Sequence, residues 1–158
     1  MTLVPHKNET LVLPFTASQA MYRLSRVTQP ASLNIAREKE ADMMFVGVIT
    51  NESFSVSRIV DYPQNYLPII SGVIECSSRG CILFLKYRLF FSSILFFSFW
   101  TILTLFLGMF LILFTPYYGY AALAVLSCAA NYLVTILNFN RQVQLSREAL
   151  HKALKISA

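Results

Sequence analysis

Charged residues are scarce in this chain, and one long stretch lacks them altogether. Asp, Glu, Lys and Arg make up 13% of the 158 residues, against about 25% in a typical soluble domain. The 52 residues from Leu89 to Asn140 contain no Asp, Glu, Lys, Arg or His. A transmembrane helix needs about 20 apolar residues, so this stretch is long enough for two. The shortage of charge argues against a large soluble enzyme and favours a membrane protein.

Motifs that carry catalysis or cofactor binding are also missing. The sequence has no Gly-rich phosphate loop, no HExxH motif and no nucleophile elbow. His6 and His151 lie at opposite ends, and neither has a Cys, Asp or Glu spaced as a ligand or a catalytic partner. Both histidines are expected to be solvated. We predict no catalytic residue, no metal site and no cofactor.

The charges that are present do not predict a nucleic-acid partner. Residues 1–88 carry nine Lys/Arg and seven Asp/Glu, whereas residues 141–158 carry four and one. The positive excess therefore adjoins the apolar stretch, where anionic lipid headgroups would attract it. No dense basic cluster interleaves with aromatic residues, as a nucleic-acid-binding surface would require. No cleaved secretory signal is expected either, since the first residues form no long apolar core.

A break at Thr115–Gly119 divides the apolar stretch into two predicted spans. The first should cover about Phe90 to Leu113, and the second about Tyr120 to Phe139. Residues 89–140 are thus predicted to form a transmembrane helical hairpin. The connecting turn is uncharged, and by the positive-inside rule both termini face the cytoplasm. The basic residues that flank the hairpin are Lys86, Arg88, Arg141 and Arg147.

Residues 1–88 are predicted to form a cytoplasmic α+β head. Residues 1–14 look irregular or extended, with two prolines as breakers. Residues 31–42 are expected to form a polar connector, with a helical turn as the alternative. One short helix is expected between about Thr16 and Thr28. β-prone runs then predict a four-stranded antiparallel meander, with strands near residues 44–49, 54–59, 69–76 and 81–87.

Residues 141–158 are predicted to form a basic amphipathic helix. Leu145, Leu150 and Leu154 fall on one helical face, whereas the basic residues fall elsewhere. Such a helix can lie on the inner leaflet of the membrane, or it can dock against the head or a partner. The sequence leaves both arrangements open.

Two of the three cysteines are expected to meet across a hairpin. Cys76 and Cys81 flank the loop between the last two predicted strands, so they should face each other. Because the head is placed in the cytoplasm, we expect reduced thiols there. Cys128 lies within the second span and is expected to be a small packing residue.

Small and polar residues recur at helical spacing in both predicted spans. Small residues let helix backbones approach closely, and Ser, Thr and Asn can form hydrogen bonds across the contact. A helix-packing seam is therefore predicted, and the alternative is the lining of an oligomeric pore. Residues at equal depth in the hairpin should meet: Gly108 with Ala124, Thr104 with Cys128, and Thr101 with Asn131.

Residues 43–100 carry a distinctive pattern. It runs Phe45-x-Gly47, Phe54-x-Val56-x-Arg58-Ile59, Tyr62-x-x-Asn65, Pro68-x-Ile70-x-Gly72, and then Arg88 before an aromatic-rich span that ends near Trp100. This pattern resembles a group of small bacterial membrane proteins. The resemblance implies a two-span protein with a β-rich head in the bacterial inner membrane, and it carries no activity.

Three functions are compatible with these features. The favoured one is a membrane-anchored interaction or assembly module, whose head binds a membrane-protein partner or a second copy at the cytoplasmic face of the lipid bilayer. The second is a subunit of an oligomeric channel or transporter, because polar residues lie within the spans. The third is a lipid-acting enzyme. The candidate contact surface of the head, and the only residues near the membrane suited to such an enzyme, are Arg58, Asp61 and Asn65.

Overall fold

The structure is a computed structural model that describes residues 5–30, 43–61, 64–77, 80–114 and 118–154. The predicted connector over residues 31–42 and the centre of the hairpin turn, residues 115–117, lie outside the described residues. In chain order the elements are β1 (His6–Leu13), α1 (Ala17–Ser25), β2 (Thr28–Pro30), β3 (Phe45–Ile49), β4 (Ser53–Arg58), β5 (Pro68–Ser77), β6 (Gly80–Leu89), α2 (Phe91–Phe114) and α3 (Tyr118–Leu154).

The described strands form one mixed sheet in the order β1-β6-β5-β4-β3-β2. Neighbouring strands are antiparallel, except that β2 and β3 are parallel. The predicted four-stranded meander is therefore wrong as a description of the sheet. The four predicted strands correspond to β3 to β6, and β1 and β2 extend the sheet by one strand at each edge.

β1 is a strand that the sequence pattern did not predict. It pairs with β6 from His6, opposite Arg88, to Leu13, opposite Cys81. Leu13 is buried, whereas the other residues of β1 are mostly polar and exposed. This pattern arises because β1 is an edge strand with only one face toward the core. Residues 1–14 were expected to be irregular or extended, and residues 6–13 are extended as a paired strand, which has no continuous apolar run to mark it.

Helices cover one face of the sheet, here called the inner face. α1 begins after Thr16, whose hydroxyl accepts a hydrogen bond from the backbone N–H of Gln19 at 3.4 Å. The C-terminal part of α3 joins α1 in the same hydrophobic core. Two helices therefore close the head, and the predicted one-helix head is wrong. Fully buried side chains at the centre of this core include Phe45, Ile70, Leu83, Tyr87 and Leu150.

In the described part of the chain, α2 and α3 are the helices long and apolar enough to cross a membrane. The most apolar windows of the two helices have mean hydropathies of 2.2 and 1.8. At about 1.5 Å per residue, α2 is about 36 Å long, which exceeds the roughly 30 Å thickness of the bilayer's hydrocarbon core. Large apolar side chains such as Phe106 and Leu126 are exposed on these helices, as contact with lipid requires.

The second apolar segment and the tail form one continuous helix. α3 runs past Asn140 to Leu154 without a break, so the tail is not a separate amphipathic helix that begins at Arg141. Basic residues end the apolar segment, but they are good helix formers and do not interrupt the backbone hydrogen bonds. The sequence allowed the tail to lie on the membrane or to dock on the head or a partner, and in the structure it docks on the head. Its buried residues are Val143, Ser146, Leu150 and Leu154.

Candidate functional site

Four apolar side chains form an exposed patch on the other face of the sheet, here called the outer face. In β6, exposed and buried residues alternate along the whole strand. The register places Val12 beside Ile82 and Val73 beside Phe84. The exposed fractions are 74% for Val12, 47% for Val73, 40% for Ile82 and 42% for Phe84. We call these four residues the outer patch.

Two basic residues continue the same face toward the membrane helices. Lys86 and Arg88 are exposed and alternate with buried Tyr87 and Leu89. α2 begins three residues after Arg88, so this basic pair lies at the end of the sheet next to α2. The outer face therefore carries the outer patch away from α2, where exposed Thr10 and Glu75 also lie beside Phe84 and Ile82, and it is cationic close to α2.

A polar cluster on the inner face joins β1 and β6 to α3. The Glu9 carboxylate pairs with the Arg147 guanidinium, with 2.7 Å between Oε1 and a terminal nitrogen. The Tyr87 hydroxyl donates a hydrogen bond to Glu9 Oε2 at 3.2 Å, and His151 Nε2 lies 3.9 Å from Glu9 Oε1. Burial raises the pKa of the Tyr87 hydroxyl above its usual value, and the neighbouring carboxylate raises it further.

This cluster positions α3, and it corrects one expectation. His151 was expected to be solvated, but its side chain is only 16% exposed. Arg147 and His151 are four residues apart on α3, so they share a helical face. That spacing was the available signal in the sequence. Their common partner Glu9 lies in a strand that the pattern did not predict.

The predicted seam residues of α2 and α3 differ in burial and in hydrogen bonding. Gly108 and Ala124 are buried, and a Cβ atom built on Gly108 would lie 3.4 Å from the Ala124 Cβ. The hydroxyls of Thr101 and Thr104 donate to carbonyls of their own helix, those of Phe97 and Trp100, at 2.9 and 2.8 Å. Because helix carbonyls already satisfy these hydroxyls, they provide little of the polar lining that a pore requires.

The other two seam residues are Cys128 and Asn131. Cys128 is half-buried. The Asn131 side-chain nitrogen is buried and has no hydrogen-bond partner among the described residues. A polar group in this position favours a further helix contact that would satisfy it.

The predicted head surface is divided between two adjoining cavities. Arg58 and Asp61 line the first cavity, and Asn65 lines the second. Arg58 is also held by Gln142 of α3, whose Oε1 accepts a hydrogen bond from a terminal guanidinium nitrogen at 2.9 Å. Across the described ranges, no group of three or more His, Cys, Asp or Glu side chains is placed to hold a metal ion.

Cys76 and Cys81 form a disulfide in the structure. The two residues lie directly opposite each other in the β5–β6 hairpin, as the sequence predicted. The expectation of reduced thiols is not what the structure shows. The two Cα atoms are 4.0 Å apart, closer than the roughly 4.4–6.8 Å usual for disulfides, because the residues are direct cross-strand partners in the hairpin.

No family model, curated protein or solved structure matches this chain.

Proposed function

We propose that this protein is a membrane-anchored interaction module that presents the outer face of its sheet to a partner protein. The single observation that carries this proposal is the exposed outer patch. Antiparallel sheets commonly expose one face to water, but that face is then mostly polar. Contiguous exposed apolar residues are typical of surfaces that bind another protein.

The charge of the outer face specifies the chemistry of the partner. Lys86 and Arg88 adjoin the outer patch near the membrane helices, whereas Glu75 flanks it at the far end, opposite Ile82. A complementary partner would carry acidic side chains near the membrane surface and apolar side chains beyond them. Because α2 and α3 hold the head beside the bilayer, a protein anchored in the same membrane would meet this face most readily.

The proposed location is the inner membrane of a bacterium, with both spans crossing it and both termini in the cytoplasm. Support comes from the basic residues beside the spans, set against a connecting turn without charge. The disulfide is an argument for the opposite orientation, because such bonds persist in oxidising compartments. We propose that the charge pattern decides the orientation, and we expect the bond to be reduced in the cell.

Thiol labelling in intact cells tests this orientation. With the head in the cytoplasm, a membrane-permeant alkylating reagent should modify Cys76 and Cys81 without prior reduction. A charged, impermeant reagent should not modify them. Quantitative protection until a reductant is added would contradict the cytoplasmic orientation and place the head on the oxidising side.

A second function is favoured by one observation within the membrane helices. The buried and unpartnered Asn131 side-chain nitrogen would be satisfied by a helix of another copy. That contact supports self-association through the hairpin, which an oligomeric channel or transporter subunit would need. Ion flux in liposomes that the Asn131→Leu variant lacks would support it, whereas a strictly monomeric protein in the membrane would exclude it.

Co-purification in mild detergent tests the interaction module. A partner retained by the wild-type chain should be lost with Phe84→Glu, because a charge would be desolvated at the centre of the contact. The double variant Lys86→Glu and Arg88→Glu should weaken partner binding and make that binding less sensitive to salt. The control is Tyr22→Glu, since Tyr22 is 66% exposed on α1. Co-purification that none of these variants changes would exclude the outer face as the binding surface.

A further inference from the structure

A cavity of about 370 Å³ lies beside Arg58, at the end of the sheet next to α2. Its lining includes polar Gln29 and Asp61 together with apolar Val60 and Phe90. Cavities of roughly 300 to 1,000 Å³ that combine apolar walls with a few polar groups are typical of small-molecule sites. The cavity therefore has the size and the composition for a ligand with one charged group.

The charge of Arg58 is only partly compensated. One terminal nitrogen donates to the neutral side chain of Gln142, and the Nε atom is buried without a hydrogen-bond partner in the described part of the chain. A neutral amide orients a guanidinium but does not cancel its charge. Arg58 is half-buried, so water screens its charge only in part, and an anion close to it would be favoured. Asp61 is exposed, so water screens its charge more effectively.

An apolar path leads from this cavity to the membrane helix. A second cavity of about 510 Å³ shares Val60, Leu67 and Phe90 with the first one. Its lining continues to Ser93 and Phe96 in the first turns of α2. Because α2 is apolar enough to cross a membrane, the shared wall joins the Arg58 cavity to the region that hydrocarbon chains occupy.

We propose that the two cavities together bind one phospholipid. Arg58 would pair with the phosphate of the lipid, and Gln29 would offer a side-chain amide to the same headgroup. An acyl chain would pass over Phe90 and Phe96 along α2. Guanidinium groups suit phosphate because several N–H donors can reach its oxygens at once. The site lies away from the outer patch, so lipid binding and partner binding can succeed or fail separately.

Native mass spectrometry of the full chain in neutral detergent tests this proposal. The protein is titrated with phosphatidylglycerol, and the bound fraction is compared among variants. Arg58→Gln should weaken binding by roughly tenfold or more, since a hydrogen bond to a charged group contributes about 1.5–3 kcal/mol. The matched control is Arg26→Gln, because Arg26 is an exposed arginine that lines neither cavity. That variant should bind as the wild type does.

Two further variants separate lipid binding from a folding defect. Leu67→Trp keeps Arg58 but fills the wall shared by the cavities, and it should also lose the lipid. Asp61→Asn should tighten binding, because a carboxylate repels phosphate. If Arg58→Gln unfolds, the binding measured for Leu67→Trp decides the question. Each variant's thermal unfolding is recorded so that a folding defect is recognised.

Several results would overturn the proposal. Equal binding by Arg58→Gln and the wild type would remove Arg58 from the site. An equal loss in Arg26→Gln would show general attraction of anions to basic residues. Inorganic phosphate that binds as tightly as phosphatidylglycerol would show that no acyl chain is recognised. Weaker binding by Asp61→Asn would indicate a ligand whose contacting group is cationic.

Discussion

The inner and outer faces of the sheet come from neighbouring residues of the same strands, yet they differ in what lies over them. Leu83 is fully buried on the inner face, whereas Ile82, the residue before it, is 40% exposed on the outer face. The difference arises because α3 continues past its apolar segment and packs on the inner face. A helix that is apolar enough to cross a membrane thus also covers one face of the sheet, and the outer face stays exposed.

Truncation of an inner-face leucine should have the largest effect on stability. Leu83→Ala is expected to lower the free energy of unfolding by about 2–5 kcal/mol, because it removes fully buried methyl groups and leaves a cavity. Ile82→Ala, one residue away, should cost about 1 kcal/mol or less and should weaken partner binding instead. Unfolding of the full chain in detergent micelles measures both values. Equal losses of stability would contradict the distinction between the faces.

Removal of a carboxylate should also destabilise the protein more on the inner face than on the outer face, but by a smaller amount than the leucine truncation. Glu9→Ala leaves the buried Tyr87 hydroxyl without its acceptor and breaks the ion pair with Arg147. We expect a loss of about 1–3 kcal/mol in unfolding free energy. Glu75→Ala on the exposed outer face should change stability by less than about 0.5 kcal/mol. A Glu9 variant as stable as the wild type would show that the polar cluster does not hold α3 on the sheet.

A pH dependence should also be specific to the inner face. The pKa of Tyr87 is raised in the folded state. The stability that this shift contributes is therefore fully present below the usual pKa of about 10. That contribution is lost as the pH rises from about 10 toward the higher folded-state value, since the unfolded chain releases the proton first. Tyr87→Phe should reduce the fall in melting temperature between about pH 9 and 11. Tyr22→Phe, at an exposed ring, is the control and should show the wild-type slope.

The hairpin and the central strands could be predicted because each leaves a local signal. The absence of charge from Leu89 to Asn140 marked the stretch that forms α2 and most of the apolar part of α3. Alternating and β-branched runs marked β3 to β6 to within a few residues. In both cases the signal and the structure depend on residues that are close together in sequence.

The rest depended on contacts between distant parts of the chain. β1 is stabilised by pairing with β6, and its polar residues resemble a loop until that partner is known. The tail docks through Leu150 and Leu154 in the core and through the ion pair of Arg147 with Glu9, which lies near the other end of the sequence. The cavity beside Arg58 likewise brings Gln29 and Phe90 together with Arg58 from separate parts of the chain. Patterns within single segments do not encode such pairings. The residues of the candidate head surface could therefore be proposed from the sequence, but their spatial arrangement could not be predicted.

The central claim is that the outer face binds an acidic, membrane-anchored partner, and photo-crosslinking in intact membranes tests it most directly. A photoreactive amino acid is placed at Phe84 and, as the control, at Tyr22, because both side chains are exposed and only Phe84 belongs to the outer patch. We predict one discrete adduct at Phe84 whose mass exceeds that of the chain by a single partner other than itself. The yield should fall when Lys86→Glu and Arg88→Glu are added. The absence of an adduct above the Tyr22 level, an adduct of two identical chains, or a yield unaffected by charge reversal would contradict the account.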